Sequence, residues 1–207
     1  MRVNPFLAPS NILLFSGRKK NRGQHLAEVT LKDKRGRSVQ GDIYGQRDSK
    51  MSPGEEVYDV YVKKNHVGHM ELAHNAKGDL GRFPDYGRHM YIQWIGSGNR
   101  LKKGDEQSTE RGDCPYVGVG TTLLQVAFER SLDKRMGGRI GLMSLSEARG
   151  FYLKNGFTGP DNRGPVRYIT SNMALSPGGI KRWRKIVKKS PLLPETVKRF
   201  KRHKKAS

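Results

Sequence analysis

The chain has 207 residues, of which 40 are Lys or Arg and 19 Asp or Glu, so its formal net charge is +21. Length and a hydrophobic content of 34% allow one domain of ordinary core size plus a tail, and the charge implies a polyanionic partner, an acidic ligand or both. A single cysteine, Cys114, excludes an internal disulfide framework and a multi-cysteine zinc site, and no apolar run reaches transmembrane length.

Near the N-terminus, Asn11–Ser16 reads as a buried first strand rather than the core of a cleaved leader. Ala27–Asp33 alternates, Lys34-Arg35-Gly36 is a turn signal, and Ser38–Tyr44 completes a hairpin. Glu56–Val62 and Val67–His74 flank Lys63–His66 as a second hairpin, and His89–Ile95 is a further strand. The polar stretch between Gly96 and Pro115 has no periodicity and reads as a mobile insert. From there the pattern alternates helix and strand. Val117–Arg135 is an amphipathic helix, Arg139–Leu145 a short buried strand and Ser146–Asn155 a helix closed by Gly156. Arg167–Leu175 is the last strand.

The C-terminal stretch differs in composition. Residues 178–207 hold twelve Lys and Arg against one Glu, +11 of the total +21. Within it Ile180, Trp183, Ile186 and Val187 recur at helical spacing. Pro191 and Pro194 then interrupt, and 194–205 can form a second short helix. The basic residues Lys181, Arg182, Arg184, Lys185, Lys188 and Lys189 are the expected nucleic-acid or acceptor surface, with Trp183 either a stacking ring there or the packing contact of the tail helix on the domain. The division expected is 1–55 as N-terminal strands, 56–177 as the core carrying the 96–115 insert, and 178–207 as a basic extension.

The most informative stretch is strand, glycine turn, helix, strand, helix. Gly118 and Gly120 stand where a loop enters a helix. The amides of a first helical turn lack intrahelical partners, and without side chains at these positions an anion can approach them closely. Thr121 and Thr122 add hydroxyls. A later segment, Ala148–Phe157 (ARGFYLKNGF), follows after one helix and one strand.

Together, Val117–Leu124 (VGVGTTLL) and Ala148–Phe157 resemble the GCN5-related N-acetyltransferase (GNAT) family. The resemblance spans roughly 56–175, with specific motifs only in 116–157. Gly118 and Gly120 match the glycines of that family's pyrophosphate turn. Ala148, Tyr152, Gly156 and Phe157 match its later helix in spacing, and Tyr91–Ile95 falls at its splayed central strand. Pro115 stands where the family has Arg or Gln, so a basic residue such as Arg111 or Arg149 would have to replace that contact. Leu145 stands where an Asn is common. No pair of acceptor-binding helices is evident before the hairpins, and the insert is longer than usual.

The resemblance implies an α/β (α+β) fold, with a mixed, mostly antiparallel sheet flanked by helices and the basic helical extension appended. It implies acetyl-CoA or another acyl-CoA as cosubstrate, with pyrophosphate on the backbone of Val117, Gly118, Val119, Gly120, Thr121 and Thr122. Gln93, Trp94 and Ile95 would pair with the pantetheine arm, and the Trp94 or Ile95 amide would serve the oxyanion. Tyr152 would protonate the leaving thiolate, its ordinary pKa near 10 lying close to that of a thiol.

His89 and Glu71 lead the candidates for general base, alongside His74, Gln93 or a water chain. His66 and His69 are expected on opposite sides of a hairpin, so no metal site is expected. Cys114 reads as an incidental loop thiol.

The charge exceeds what one CoA needs, which points to an amine acceptor associated with nucleic acid, such as aminoacyl-tRNA or a basic or ribosomal protein. Alternatives are a nucleic-acid-binding or base-modifying protein on a degenerate GNAT fold, and an injected effector acylating a host protein. The expected location is cytoplasmic, with the tail able to direct the chain into a host cell or nucleus, and a homodimer is among the partners weighed.

Overall fold

The computed structural model describes residues 23–46, 54–76, 86–98, 114–159, 170–194 and 196. The proposed strand at Asn11–Ser16, nearly all of the 96–115 insert and the body of the second tail helix lie outside these residues. In chain order the strands β1 (Gln24–Asp33), β2 (Ser38–Gln46), β3 (Glu55–Val62), β4 (Asn65–Ala76) and β5 (His89–Ser97) come first. Next come β6 (Tyr116–Val117), helix α1 (Val119–Asp133) and β7 (Ile140–Leu145). A 3-10 turn, Ser146–Ala148, leads into α2 (Arg149–Lys154), followed by β8 (Phe157–Thr158), β9 (Thr170–Leu175) and α3 (Pro177–Lys189). None of the described helices is long and apolar enough to cross a membrane.

These strands form one sheet in the order β6-β1-β2-β3-β4-β5-β7-β9-β8. Every neighbouring pair is antiparallel except β5–β7. The fold is thus mixed α and β with a mostly antiparallel sheet. Strands β1 and β2 pair in turn onto β3, so the described residues before 55, 23–46, share the sheet of the core. Local chemistry sets the hairpins. At the β1–β2 turn the Asp33 carboxylate accepts from the Arg35 and Arg37 amides, each at 2.9 Å, and Gly36 takes φ 77°. The two-residue strands β6 and β8 escaped the sequence reading because so short a segment carries no alternation.

Alternation assigns the two faces of the sheet. Val60, Met70, Leu72, Met90 and Ile92 are at most 2% exposed and share one hydrophobic cluster with Leu123, Val126, Ala127 and Phe128 of α1. The other face carries Asp59, Tyr61, His69 and Glu71. The basic tail helix belongs to the cluster too. Trp183 is 3% exposed, stacks on Phe128 with centroids 6.2 Å apart, and donates its indole N–H to the Asn155 carbonyl at 2.9 Å. Ser176 caps α3 by accepting from the Gly179 amide. Beyond α3, the amides of Leu192 and Leu193 donate to the buried Glu129 carboxylate at 2.8 and 2.7 Å, tying this segment to α1.

A buried ionic group fastens β3 to α1. Glu56, 3% exposed, accepts from Arg130 and from the Tyr58 hydroxyl, with His74 3.1 Å away. Burial works against the charged carboxylate, but the hydrogen bonds from His74, Arg130 and Tyr58 outweigh it and hold its pKa well below the usual range.

Candidate active site

The two glycines of the turn do different work. Gly118 caps α1 with φ 98°, a left-handed conformation that side chains resist, and the space around it is open. Gly120 is helical, and a Cβ there would stand 3.0 Å from the Phe151 ring. Its lack of a side chain therefore lets α2 pack on the first turn of α1. The sequence alone assigns both glycines to the close approach of an anion, whereas packing accounts for Gly120.

Helix α1 has no side-chain cap and no acidic residue in its first turn. The Thr122 amide is taken by the Gly118 carbonyl at 2.8 Å, and Val117 lies in a ladder with Lys32 of β1. The amide donors of the turn therefore narrow from the expected Val117–Thr122 to Gly118, Val119, Gly120 and Thr121. Beside the turn, a recess of about 450 Å³ is lined by Lys34, Arg35, Arg37, Lys63, Pro115 and Tyr116 among others. Cationic side chains of the β1–β2 and β3–β4 turns thus share the recess with Pro115 and with Asp33, whose carboxylate accepts from the Arg37 guanidinium at 2.7 Å. Arg111 lies outside the described residues, and Arg149 opens α2.

The parallel β5–β7 ladder is short. It pairs Met90 with Ile140, Tyr91 with Gly141 and Ile92 with Leu142, and there it stops. Strand β5 runs on to Ser97 and β7 to Leu145, but from Gln93 and Met143 onward they share no ladder pair. A bulge explains the parting. Glu71 pairs with Trp94 and Leu72 with Ile92, which leaves Gln93 as the extra residue. A bulge bends the strand that carries it and re-aims its edge. Gln93, Trp94 and Ile95 therefore lie along the side of this gap, and the Gln93 side-chain Nε2 donates to Glu55 Oε1 at 3.0 Å. On β7, Met143 and Leu145 are 56% and 55% exposed, an apolar lip on the other side of the gap.

Helix α1 begins at this open end. A Cβ on Gly68 of β4 would run into Val119, and Gly68 is paired with Ser97 at the C-terminal end of β5. The uncapped turn, the end of β5 and the Phe151 edge of α2 are thus gathered at one place. Tyr152 follows Phe151 and is 5% exposed, its ring packed edge-on against Phe151 and Phe157. Burial pushes its pKa up to about 12. The phenol stays protonated, as a proton donor must, yet its pKa is now further from a thiol's than sequence alone implied.

The base candidates separate. His89 is 1% exposed, donates from Nδ1 to the Gly87 carbonyl 2.8 Å away, and stands next to Met90 at the closed end of the β5–β7 ladder. Burial lowers its pKa. That position removes His89 from the gap. Glu71 stands beside Trp94 at the open end, 3.1 Å from His69 Nε2.

His66 and His69 lie on the same face, contrary to the hairpin expectation. Tyr61 pairs with His66 and Val60 with Gly68, so Val67 is a bulge residue that restores His66 to the side of His69. Both rings reach Asp59 Oδ1, at 2.8 Å each. Burial disfavours the charged His69 ring, but hydrogen bonds to Asp59 and Glu71 prevail and raise its pKa to about 9.

On α3, Lys181, Arg182, Arg184, Lys185, Lys188 and Lys189 are exposed, whereas Trp183 is buried. Trp183 is therefore a core anchor and is withdrawn as a base-stacking ring. Arg182 donates to the Lys154 carbonyl and Arg184 to the Gly137 carbonyl, both at 2.9 Å.

No family model matches the sequence, and no curated protein matches it. Among solved structures, ElaA of Escherichia coli is 12% identical, with 63% of this chain and 78% of that chain covered at a TM-score of 0.39. A GNAT family acetyltransferase from Elizabethkingia anophelis with acetyl-CoA bound is 12% identical, covering 66% of this chain and 97% of its own at 0.40. FeeM, an N-acyl amino acid synthase from uncultured soil microbes, is 11% identical, covering 65% and 72% at 0.41. Likeness at this level leaves the geometry of the cleft itself as the ground for a functional reading.

Proposed function

We propose that this chain is an acyl-CoA-dependent N-acyltransferase whose cosubstrate lies in the gap between β5 and β7. One observation carries the reading: the uncapped first turn of α1 is set at the end where the parallel β5–β7 ladder stops. Amides of Gly118–Thr121 would hold the pyrophosphate, helped by the positive end of the helix dipole. Arg35 and Lys63, which line the recess with Pro115, would supply the cationic contact that Pro115 cannot make, while Arg37 is held by Asp33. The pantetheine arm would lie along Gln93–Ile95 with Met143 and Leu145 against it.

An acceptor amine then attacks the thioester carbonyl. The C–N bond forms, the tetrahedral oxyanion takes a hydrogen bond from a β5 amide, and the C–S bond breaks to release CoA thiolate. Tyr152 would return a proton to that thiolate. Glu71, the better placed of the two base candidates, would take the proton that the acceptor nitrogen loses as the C–N bond forms.

For the acceptor, we extend the reading to an amine associated with nucleic acid, such as aminoacyl-tRNA or a basic protein. The exposed Lys181, Lys185, Lys188 and Lys189 recur on one face of α3, and the +21 net charge exceeds the demand of a single CoA. The test is release of free CoA thiol from acetyl-CoA with aminoacyl-tRNA or a basic protein as acceptor, beside a direct titration of acetyl-CoA. Acetyl-CoA binding with acceptor-dependent thiol release is expected. Failure to bind acetyl-CoA would overturn the enzyme reading, whereas binding without release on either acceptor would overturn only the acceptor.

A further inference from the structure

The bulge at Val67 creates a cluster that neither the core nor the cleft requires. Asp59 of β3 and His66 and His69 of β4 each offer one donor atom, and the three atoms lie within 4.8 Å of one another. Asp59 Oδ1 is 2.8 Å from His66 Nε2 and 2.8 Å from His69 Nδ1. The three side chains are 18–22% exposed, enclosed enough to be fixed and open enough for an ion to enter. Tyr61 and Trp94 wall the cluster, their ring centroids 5.1 Å from His66 and 5.2 Å from His69.

We propose that Asp59, His66 and His69 form a binding site for a divalent first-row transition ion, Zn²⁺ foremost. Two imidazoles and one carboxylate are donors for such an ion, whereas Mg²⁺ and Ca²⁺ take oxygen ligands. Metal–ligand bonds of about 2.0–2.1 Å in a tetrahedral site put donors about 3.3 Å apart. The two Asp59–imidazole spacings of 2.8 Å reach that with a shift of about half an ångström, the two imidazole nitrogens already lie within 4.8 Å of each other, and water would complete the coordination.

The far side of His69 is already arranged for the role. Its Nε2 faces Glu71 Oε1 at 3.1 Å, the carboxylate–imidazole contact that turns the other nitrogen toward a metal. On His66, Nδ1 is buried without a hydrogen-bond partner, so this ring makes its polar contact on the cluster side. The ion would sit on the face of the sheet opposite α1, one ring away from Trp94 at the β5 bulge. The inference stands on β3 and β4 geometry and does not depend on acyl transfer.

The test uses the full chain stripped with chelator and titrated with Co²⁺ and Zn²⁺, read by Co²⁺ visible absorption and by calorimetry. One equivalent is expected, with Zn²⁺ displacing Co²⁺ and the melting temperature rising on binding. Asp59→Asn and the double variant His66→Ala/His69→Ala are expected to abolish uptake, and Glu71→Gln to weaken it about 10–100-fold. Cys114→Ser and His25→Gln should leave it intact. Circular dichroism in chelator confirms that each variant folds. Wild type that takes up neither ion at millimolar metal overturns the site, as does uptake that survives Asp59→Asn and the double histidine variant in folded protein.

Discussion

Thr121→Glu separates the stability of α1 from its proposed use. Residue 121 is exposed in the first turn, where no acidic side chain now stands. A carboxylate there interacts favourably with the helix dipole, by about 0.3–1 kcal/mol. Toward a pyrophosphate on the same amides it is repulsive. Two unit charges 4 Å apart interact by about 1 kcal/mol in water and about 4 kcal/mol near a protein surface. Affinity for acetyl-CoA should therefore fall by about 5- to 1,000-fold.

Thermal unfolding reads both effects. Acetyl-CoA at about 100 times its dissociation constant stabilises wild type by about 2.7 kcal/mol. At about 2–4 °C per kcal/mol this is a midpoint shift of about 5–11 °C. If Thr121→Glu weakens binding about 100-fold, the same ligand concentration gives only about 0.4 kcal/mol. The ligand-free variant should melt at or slightly above wild type. A variant that keeps the full ligand shift would refute the placement of pyrophosphate at this turn.

Gly118→Ala should cost about 1–2 kcal/mol in urea unfolding through its left-handed φ alone, since a Cβ there meets only Leu31 at 3.8 Å. Gly120→Ala should be relieved by Phe151→Leu, and a double-mutant cycle showing no coupling would contradict the contact at 3.0 Å. Tyr152→Phe should lower turnover with little change in acetyl-CoA affinity, and full activity would remove Tyr152 from the mechanism. Trp183→Ala should cost about 3–5 kcal/mol, whereas Lys→Glu at 181, 185, 188 and 189 should leave stability nearly unchanged and flatten the salt dependence of RNA binding; the reverse pattern would place Trp183 outside the core. Because Glu56 has a depressed pKa in the fold, its contribution is present above the unfolded value near 4.5 and lost as pH falls below it. Glu56→Gln should flatten the fall in stability on the acid side of pH 4.5, and an unchanged acid limb would discount the Arg130 pair.

Local chemistry was legible in the sequence. Period-two alternation gave β1 to β5 with ends up to three residues short, because one buried face imposes it. Helical spacing of Ile180, Trp183 and Val187 gave α3, and Gly156 marked the end of α2 with φ 89°. The glycine turn before α1 was visible as well, since a helix entrance without side chains is a local feature.

What the sequence could not carry was register. A bulge at Gln93 ends the β5–β7 ladder and opens the gap, and a bulge at Val67 brings His66 round to His69. Neither bulge is written in the residue types, since both depend on which neighbour each residue meets across the sheet. The same reason displaced His89, a plausible base on its strand but buried at the closed end once β7 pairs beside it. Gly120 looked like Gly118 until Phe151 arrived from thirty-one residues away. Composition and period determined which elements form and which faces they bury. Only their pairing in space decided which polar groups share a site, because a shift of one residue in a ladder moves a side chain to the opposite face.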